Sequence, residues 1–325
     1  MKRLFPAVLT AGLIIIVSCA RMAVASGDPS RAMILDLPRE QMIEAFGRLP
    51  VSRLTAEDSA QISAYRFGAD TLKVLAILVE WDDRPHTHPA ATFDSLLFSR
   101  NVFPGGSVAD YYAEVSYGQM TVTGSVIGWY NAGPTFANWG YFDFESILPA
   151  IDPTVDFSQF DGDNDGSVDA VIFIRSGTGE EDTHDPADMW SAAMVYPLGS
   201  GPGPFDGKFV SRWNTSPEER PLHAPLDPPA LSGVDTLESL RVFVHELGHN
   251  LGLPDLYDYD SKLDVSTYVT PNDANDHPVV DWDIMGYYGY GILSIGSWLP
   301  SHLSGWSKMQ LGWISPIILN DTLSH

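Results

Sequence analysis

The pattern of hydrophobic and polar positions predicts strands that alternate with helices. Residues 72–81, LKVLAILVEW, are rich in leucine and β-branched side chains and end at the turn signal DDRP, which is typical of a central strand. Residues 120–130 and 168–175 show the same strand character. Between the first two runs, SVADYYAEVSYG has Ser107 as an N-cap and Gly118 at its end, which predicts a short helix. This order favours an α/β fold, with a mixed twisted sheet packed against helices.

The strongest helix signal lies in residues 235–252, DTLESLRVFVHELGHNLG. Asp235 and Glu238 have the spacing of a capping box, and Gly252 suits the left-handed position at a helix end. Apolar residues recur at spacings of three and four, and they are Leu237, Leu240, Val244, Leu247 and Leu251. The sequence therefore predicts a helix over 235–252 that buries one side.

The polar positions of this helix predict a catalytic zinc site. His245 and His249 are four residues apart, so their Cβ atoms lie about 5–6 Å apart on one face and both imidazoles can reach one ion. Glu246 is rotated by about 100° from His245. It can therefore act as a general base on a water molecule without binding the metal.

A catalytic zinc ion needs a third protein ligand and an open fourth position. Asp255 is the predicted third ligand, because Gly252 lets the chain leave the helix sharply and the aspartate follows His249 by six residues. Asp258 is the alternative. A fourth ligand would close the site, and His277 is the residue that keeps this question open.

Downstream, residues 281–291 read DWDIMGYYGYG. Metzincin zinc peptidases place a methionine in a tight turn beneath the metal, and Met285 followed by glycine fits that turn. Tyr287 is the candidate for a second catalytic role, as a support for the developing oxyanion. Tyr288 and Tyr290 compete with it for this role.

A second metal motif lies in residues 161–169, DGDNDGSVD. Its acidic residues alternate before a turn glycine, as in the first part of an EF-hand loop. The predicted calcium ligands are Asp161, Asp163, Asp165, Ser167 and Asp169. Ile172 occupies the position of the usual bidentate glutamate, so calcium would need a further ligand, and a loop without an ion is the alternative. The role of calcium here would be structural.

The first 25 residues predict an export signal. Lys2 and Arg3 precede an apolar run that is too short for a comfortable transmembrane helix. Cleavage before Ser26 is one outcome, and lipid attachment at Cys19 in the lipobox-like IVSC is the other. We therefore expect the protein to be secreted, or anchored by lipid at a bacterial cell envelope. Because Cys19 is the only cysteine, a disulfide within the mature chain is excluded.

The amino-acid composition limits the kinds of molecule that the chain is expected to bind. The chain has 18 Lys and Arg residues against 42 Asp and Glu residues, a net charge of −24. Because no basic run could release counterions from a phosphate backbone, nucleic acid is not an expected partner. The hydrophobic fraction of 44% suffices for a sizeable core.

We expect a monomer with a prosegment or N-terminal extension over 26–70 and a catalytic domain over 71–325.

Several motifs together resemble the M6 family of secreted metallopeptidases, the immune inhibitor A group, over about residues 70–315. They are VLAILVEWDD, SVADYYAEVSYGQMTVTGSVIGWY, DGDNDGSVDAVIFIRSGTGEE, VHELGHNLGLPDLYD, WDIMG and LSGWSKMQLGWI. The resemblance implies a metzincin-like domain with the active-site helix at the floor of the cleft. It also implies zinc-dependent cleavage of proteins or peptides, with His245, His249 and Asp255 as ligands and Glu246 as base. The competing hypothesis is a non-catalytic, calcium-stabilised surface binding protein that holds a structural zinc ion.

Overall fold

The computed structural model of the chain describes residues 67–103, 105–183, 185–220, 237–256, 282–286 and 300–316, and the backbone of residues 33–35. Six strands form one sheet in these residues: β1 (Met33–Leu35), β2 (Thr71–Glu80), β3 (Thr121–Asn131), β4 (Ala170–Thr178), β5 (Ala192–Val195) and β6 (Arg212–Glu219). The helices are α1 (Ala90–Phe98), α2 (Val108–Val115), α3 (Leu148–Ile151), α4 (Glu180–Thr183), α5 (Leu240–Asn250) and α6 (Gly305–Gln310). The fold is therefore α/β, as the sequence pattern predicted.

The sheet is mixed, with strand order β1-β5-β6-β4-β2-β3. Four neighbouring strands, β3, β2, β4 and β6, run parallel to one another. Strand β5 pairs antiparallel with β6, and β1 pairs antiparallel with β5 at the edge. Parallel strands need crossover connections, and the helices α1 and α2 supply one between β2 and β3.

Strand β2 shows why the hydrophobic run is continuous rather than alternating. Its side chains at Leu72, Val74, Ala76 and Leu78 join the core under α1, α2 and α5. Those at Leu75, Ile77 and Val79 join an aromatic core on the opposite face, with Trp81 just beyond the strand. A strand between two layers is buried on both faces, so the stretch 74–79 is apolar and buried at every position.

The strand boundaries predicted from the sequence agree with the observed ones to within three residues. The strand expected over 72–81 spans Thr71–Glu80, and those expected over 120–130 and 168–175 span Thr121–Asn131 and Ala170–Thr178. Helix α2 begins after Ser107, whose side chain accepts a hydrogen bond from the Asp110 N–H while the Asp110 carboxylate accepts one from the Ser107 N–H. These predictions are confirmed.

The predicted start of the long helix is wrong. Helix α5 begins at Leu240 with Ser239 as N-cap, whereas the capping-box spacing placed the start at Asp235, which lies outside the described residues. Glu238 donates its backbone N–H to the Glu218 carbonyl at 2.9 Å, and Leu237 bridges to Glu219. These residues extend the sheet, so their backbone groups are not available for helix.

The burial of α5 also differs from the prediction of a single apolar stripe. Every residue of Leu240–Asn250 is buried except Arg241, which is half-buried. The helix packs on strands β4, β5 and β6 and on helix α2, so it is covered from more than one side. Its polar residues therefore lie in the interior.

Within the described ranges, no helix has the length and apolar character needed to cross a bilayer.

Candidate metal centre

Helix α5 and the turn after it bring three potential metal ligands together. His245 and His249 are fully buried on adjacent turns of the helix. Gly252 has a φ of +95°, the left-handed conformation that ends the helix, as predicted. The Leu253 N–H then donates to the Gly248 carbonyl at 3.0 Å, and the chain folds back so that Asp255 faces both histidines.

The distances between these ligand atoms fit a zinc ion. Asp255 Oδ1 lies 3.2 Å from His245 Nε2 and 3.4 Å from His249 Nε2. One ligand atom from each residue lies within 4.8 Å of the other two. Two donors at about 2.05 Å from one ion, at the tetrahedral angle, are about 3.3 Å apart. The three residues could therefore hold one metal ion, and their spacing is compatible with zinc.

Backbone carbonyls fix the orientation of both imidazole rings. His245 Nδ1 lies 2.7 Å from the Ile284 carbonyl oxygen, and His249 Nδ1 lies 2.8 Å from the Leu253 carbonyl oxygen. A carbonyl only accepts, so each Nδ1 carries the proton and each Nε2 faces the other ligands. Metal-binding histidines usually donate their second ring N–H in this way.

Charge is concentrated at the centre. Burial opposes a positive charge on His249, but the Asp255 and Glu246 carboxylates outweigh burial and raise the pKa of His249 to about 9. Burial also opposes a negative charge on Asp255, yet His249 and His245 hold the pKa of Asp255 well below its usual range. Both shifts have the same cause, which is the close approach of the Asp255 carboxylate to the two imidazoles.

Glu246 is fully buried on the same helix, between the two histidines in sequence. It adjoins His245 in sequence and precedes His249 by three residues, less than one helical turn. The group of three potential ligands consists of His245, His249 and Asp255 and does not include Glu246.

The methionine turn lies directly beneath helix α5. Met285 is fully buried, and a Cβ added at Gly248 would lie 2.6 Å from the Met285 Sδ. The Leu256 N–H donates to the Met285 carbonyl at 2.7 Å, which attaches the turn to the loop that carries Asp255. Met285 therefore packs against the helix that carries both histidines.

Two contributors to the centre were not identified from the sequence. The Tyr112 hydroxyl donates to the Val244 carbonyl at 2.7 Å and joins α2 to α5. Asp283 is buried next to the methionine turn. A signal was present for each, because Tyr112 lies in a helix with a buried face and Asp283 is an acidic residue inside an apolar motif. The contacts themselves join distant segments and leave no local trace in the sequence.

Other predicted participants cannot be placed. Five of them lie outside the described residues. They are Tyr287, the second catalytic candidate, its competitors Tyr288 and Tyr290, the alternative third ligand Asp258, and the possible fourth ligand His277.

Three of the calcium ligands predicted in residues 161–169 form a second cluster of carboxylates. One carboxylate oxygen from each of Asp161, Asp163 and Asp169 lies within 4.8 Å of the other two. Burial raises the pKa of Asp169 to about 7, although the Lys73 and Gly162 N–H groups donate to its carboxylate. The cluster is one that a cation would stabilise.

Asp165 donates its backbone N–H to the carboxylates of Asp161 and Asp163, but its own carboxylate is not one of the three grouped oxygens. Asp165 Oδ1 accepts the Ser167 N–H at 2.8 Å, and the Ser167 hydroxyl lies 3.0 Å from the hydroxyl of Ser211. Lys208 already places its ammonium group 2.5 Å from Asp161 Oδ2. The prediction of calcium in this loop stays a prediction.

Comparison with known proteins points to metalloproteases. The chain matches no known protein-family model. It is 27% identical over 300 aligned positions to the pre-pro-metalloprotease PrtV of Vibrio cholerae, an alignment that covers 74% of this chain and 30% of PrtV. It is 26% identical over 297 positions to immune inhibitor A of Bacillus thuringiensis subsp. alesti, covering 74% of this chain and 38% of that protein. The chain thus spans about a third of the length of these relatives. It is similar to metallopeptidases of the immune inhibitor A group, the M6 family, as its motifs predicted.

Proposed function

We propose that the chain is a zinc-dependent endopeptidase that hydrolyses peptide bonds in protein substrates. The convergence of His245, His249 and Asp255 at zinc-ligand distances is the observation that carries this proposal. Two relatives support it by their names, one a pre-pro-metalloprotease and the other immune inhibitor A. The mixed sheet with a buried ligand helix is compatible with the metzincin-like domain that the motifs imply.

The chain supplies the groups that such a reaction needs. A zinc ion in this site would acidify a water molecule and polarise the scissile carbonyl group. Glu246, next to His245 in the chain and buried on the same helix, takes up a proton at its carboxylate and then returns it to the leaving amine. The Ile284 and Leu253 carbonyls hold both imidazoles in one tautomer and orientation throughout. Burial keeps bulk water from the ligand atoms.

The number of ligands separates this proposal from its rival, a binding protein with a structural zinc ion. Structural sites have four protein ligands, whereas catalytic sites have three and an open position. The group that converges here, among the residues that the structure describes, contains three.

The test compares the parent protein with Glu246→Gln, a substitution that keeps the side-chain size and removes the base. We expect the parent to cleave casein and the variant to lose at least about 100-fold in rate. Both should bind one zinc ion, measured by competition with a chromophoric chelator. Glu114→Gln is the matched control, because Glu114 is 75% exposed on α2 and should behave as the parent.

Two results would contradict the proposal. Equal cleavage by the Glu246→Gln protein would remove the base from the mechanism. Zinc binding without cleavage, in a protein shortened to begin at Phe67, would favour the binding protein instead.

We also propose that residues 26–70 act as a prosegment. Strand β1 pairs antiparallel with β5, with Ile34 opposite Met194, and helix α5 packs against β5. Residues 33–35 therefore occupy a sheet edge next to a strand that contacts the ligand helix, where an extended peptide could pair. The protein beginning at Phe67 should cleave casein faster at unchanged zinc affinity, and no gain in rate would refute the role.

Calcium binding by the acidic loop is a separate proposal, supported by the grouping of Asp161, Asp163 and Asp169. Calcium should raise the melting temperature of the parent but not of Asp163→Asn, and magnesium serves as the control ion. A rise of equal size in both proteins would count against this site.

We propose that the protein is exported through residues 1–25, with Cys19 as the alternative point of lipid attachment. These residues lie outside those that the structure describes. Mass spectrometry of the mature N-terminus distinguishes cleavage before Ser26 from a lipidated cysteine, and an intact Met1 would contradict both.

A further inference from the structure

We propose that Asp283 is the positioning residue of the metal centre, and that its carboxylate fixes the turn whose carbonyl groups orient the zinc ligands. This inference rests on the proposed function, because it assigns a role toward the zinc ion. Asp283 touches none of the three ligands in the described contacts and acts through residues 284–286.

The Asp283 carboxylate joins two segments of the chain. Its Oδ1 accepts the Met285 N–H at 2.9 Å. Its Oδ2 accepts the Ser304 N–H at 2.9 Å and the Ser307 hydroxyl at 2.5 Å. The side chain is buried, with a relative exposure of 2%. The methionine turn is therefore tied to the start of helix α6 by three hydrogen bonds to one side chain.

The same turn contacts one ligand directly and the chain beside another. The Ile284 carbonyl accepts the His245 Nδ1–H at 2.7 Å, and the Met285 carbonyl accepts the Leu256 N–H at 2.7 Å, next to Asp255. One hydrogen bond thus links the turn to His245, and another links it to the chain beside Asp255. A shift of the turn would move both ligands relative to His249.

A carboxylate suits this position better than its closest analogue. Two oxygens offer about four acceptor sites, whereas an asparagine has one acceptor oxygen and two N–H donors. An asparagine in place of Asp283 could therefore accept from Met285 or from the Ser304 and Ser307 pair, but it would present its own donors to the other side. Buried donors left without an acceptor are costly, so the turn and helix α6 would separate or rotate.

The experiment measures zinc affinity directly, by competition with a chromophoric chelator. Asp283→Asn should bind zinc about 10- to 100-fold more weakly, the usual loss when an outer-shell partner is removed. Ser307→Ala removes one of the three donors and should weaken zinc binding by about 2- to 10-fold. Both variants should lose kcat more than they change KM, because the substrate surface is untouched.

Asp188→Asn is the matched control for a merely structural role. Asp188 also accepts hydrogen bonds from several partners, Arg84, Thr178 and Thr183, and helps to join β4 to the following loop. Its substitution should lower the melting temperature of the zinc-free protein and leave zinc affinity unchanged.

The outcomes separate the two hypotheses. The positioning role is overturned if Asp283→Asn and Ser307→Ala bind zinc as tightly as the parent, or if Asp188→Asn loses the same affinity. If Asp283→Asn does not fold, Ser307→Ala decides, because it removes one hydroxyl only. A parent protein that fails to bind zinc overturns the proposed function itself, and this role with it.

Discussion

The contact between Gly248 and Met285 makes the sharpest prediction about the metal centre. Gly248 lies inside helix α5, one residue before His249, and Met285 lies below it. In an exposed helix, replacing glycine by alanine stabilises the fold by about 1 kcal/mol. Here a Cβ would lie 2.6 Å from the Met285 Sδ and 3.7 Å from the Tyr112 hydroxyl. The helix gain and the steric overlap therefore oppose each other.

The overlap should win. Non-bonded heavy atoms sit comfortably at about 3.5–4.0 Å, so Met285 must move by roughly 1 Å. Its side chain is fully buried and cannot swing into solvent. Overpacking of this kind costs about 1–3 kcal/mol. Gly248→Ala should therefore lower the free energy of unfolding by about 1 kcal/mol and, by displacing the turn, weaken zinc binding about 10-fold.

Chemical unfolding of the zinc-free protein and chelator competition measure the two effects. Gly305→Ala is the control, because nothing lies within 4 Å of a Cβ at this helical glycine. It should leave both quantities unchanged or slightly raise stability. In a Met285→Ala background the added methyl group has room, so Gly248→Ala should no longer be destabilising.

A Gly248→Ala protein that is about 1 kcal/mol more stable and binds zinc normally would refute the steric reasoning. It would mean that the methionine turn can move without disturbing the ligands, and the same result would weaken the role assigned to Asp283.

Three further predictions test the fold and the site. Burial raises the pKa of Glu145 from 4.5 to about 7 against the effect of its bonds from Tyr196 and Trp213, so folding favours the protonated acid. The difference in unfolding free energy between the parent and Glu145→Gln should be constant below pH 4.5. It should then shift against the parent by at most about 3 kcal/mol as the pH rises through 7. Urea unfolding across that pH range measures this difference, and a difference independent of pH would contradict the prediction. Gly124→Ala should destabilise the sheet by at least about 1–3 kcal/mol, because its Cβ would overlap the Val74 carbonyl oxygen at 2.0 Å, and an unchanged melting temperature would show that strand β3 can shift. Zinc at 100 times its Kd should add about 2.7 kcal/mol to the stability of the zinc-free protein in thermal unfolding, whereas magnesium should add nothing.

The local features of the site could be predicted because they depend on neighbours in sequence. The helical period alone places His245 and His249 on one face and turns Glu246 away from them. The left-handed conformation of Gly252 follows from the lack of a Cβ, and the cap at Ser107 follows from a short polar side chain before an apolar run. These choices are settled within a few residues.

Long-range pairing decided what the sequence pattern could not. Residues 237–238 have helix-start spacing, yet they pair with Glu218 and Glu219, because backbone hydrogen bonds to the sheet replace those of a first helical turn. Asp255 meets the two histidines because of the path of the chain after Gly252, which the hydrogen bond between Leu256 and Met285 holds in place.

Asp283 shows the same limit at the scale of the whole centre. Its partners Ser304 and Ser307 lie more than twenty residues away, and no periodicity connects them. The sequence by itself determined which residues can bind a metal ion and which face of the helix carries them. The tertiary structure decided which carboxylate meets them and what holds the turn beneath, because those contacts depend on segments that only the folded core brings together.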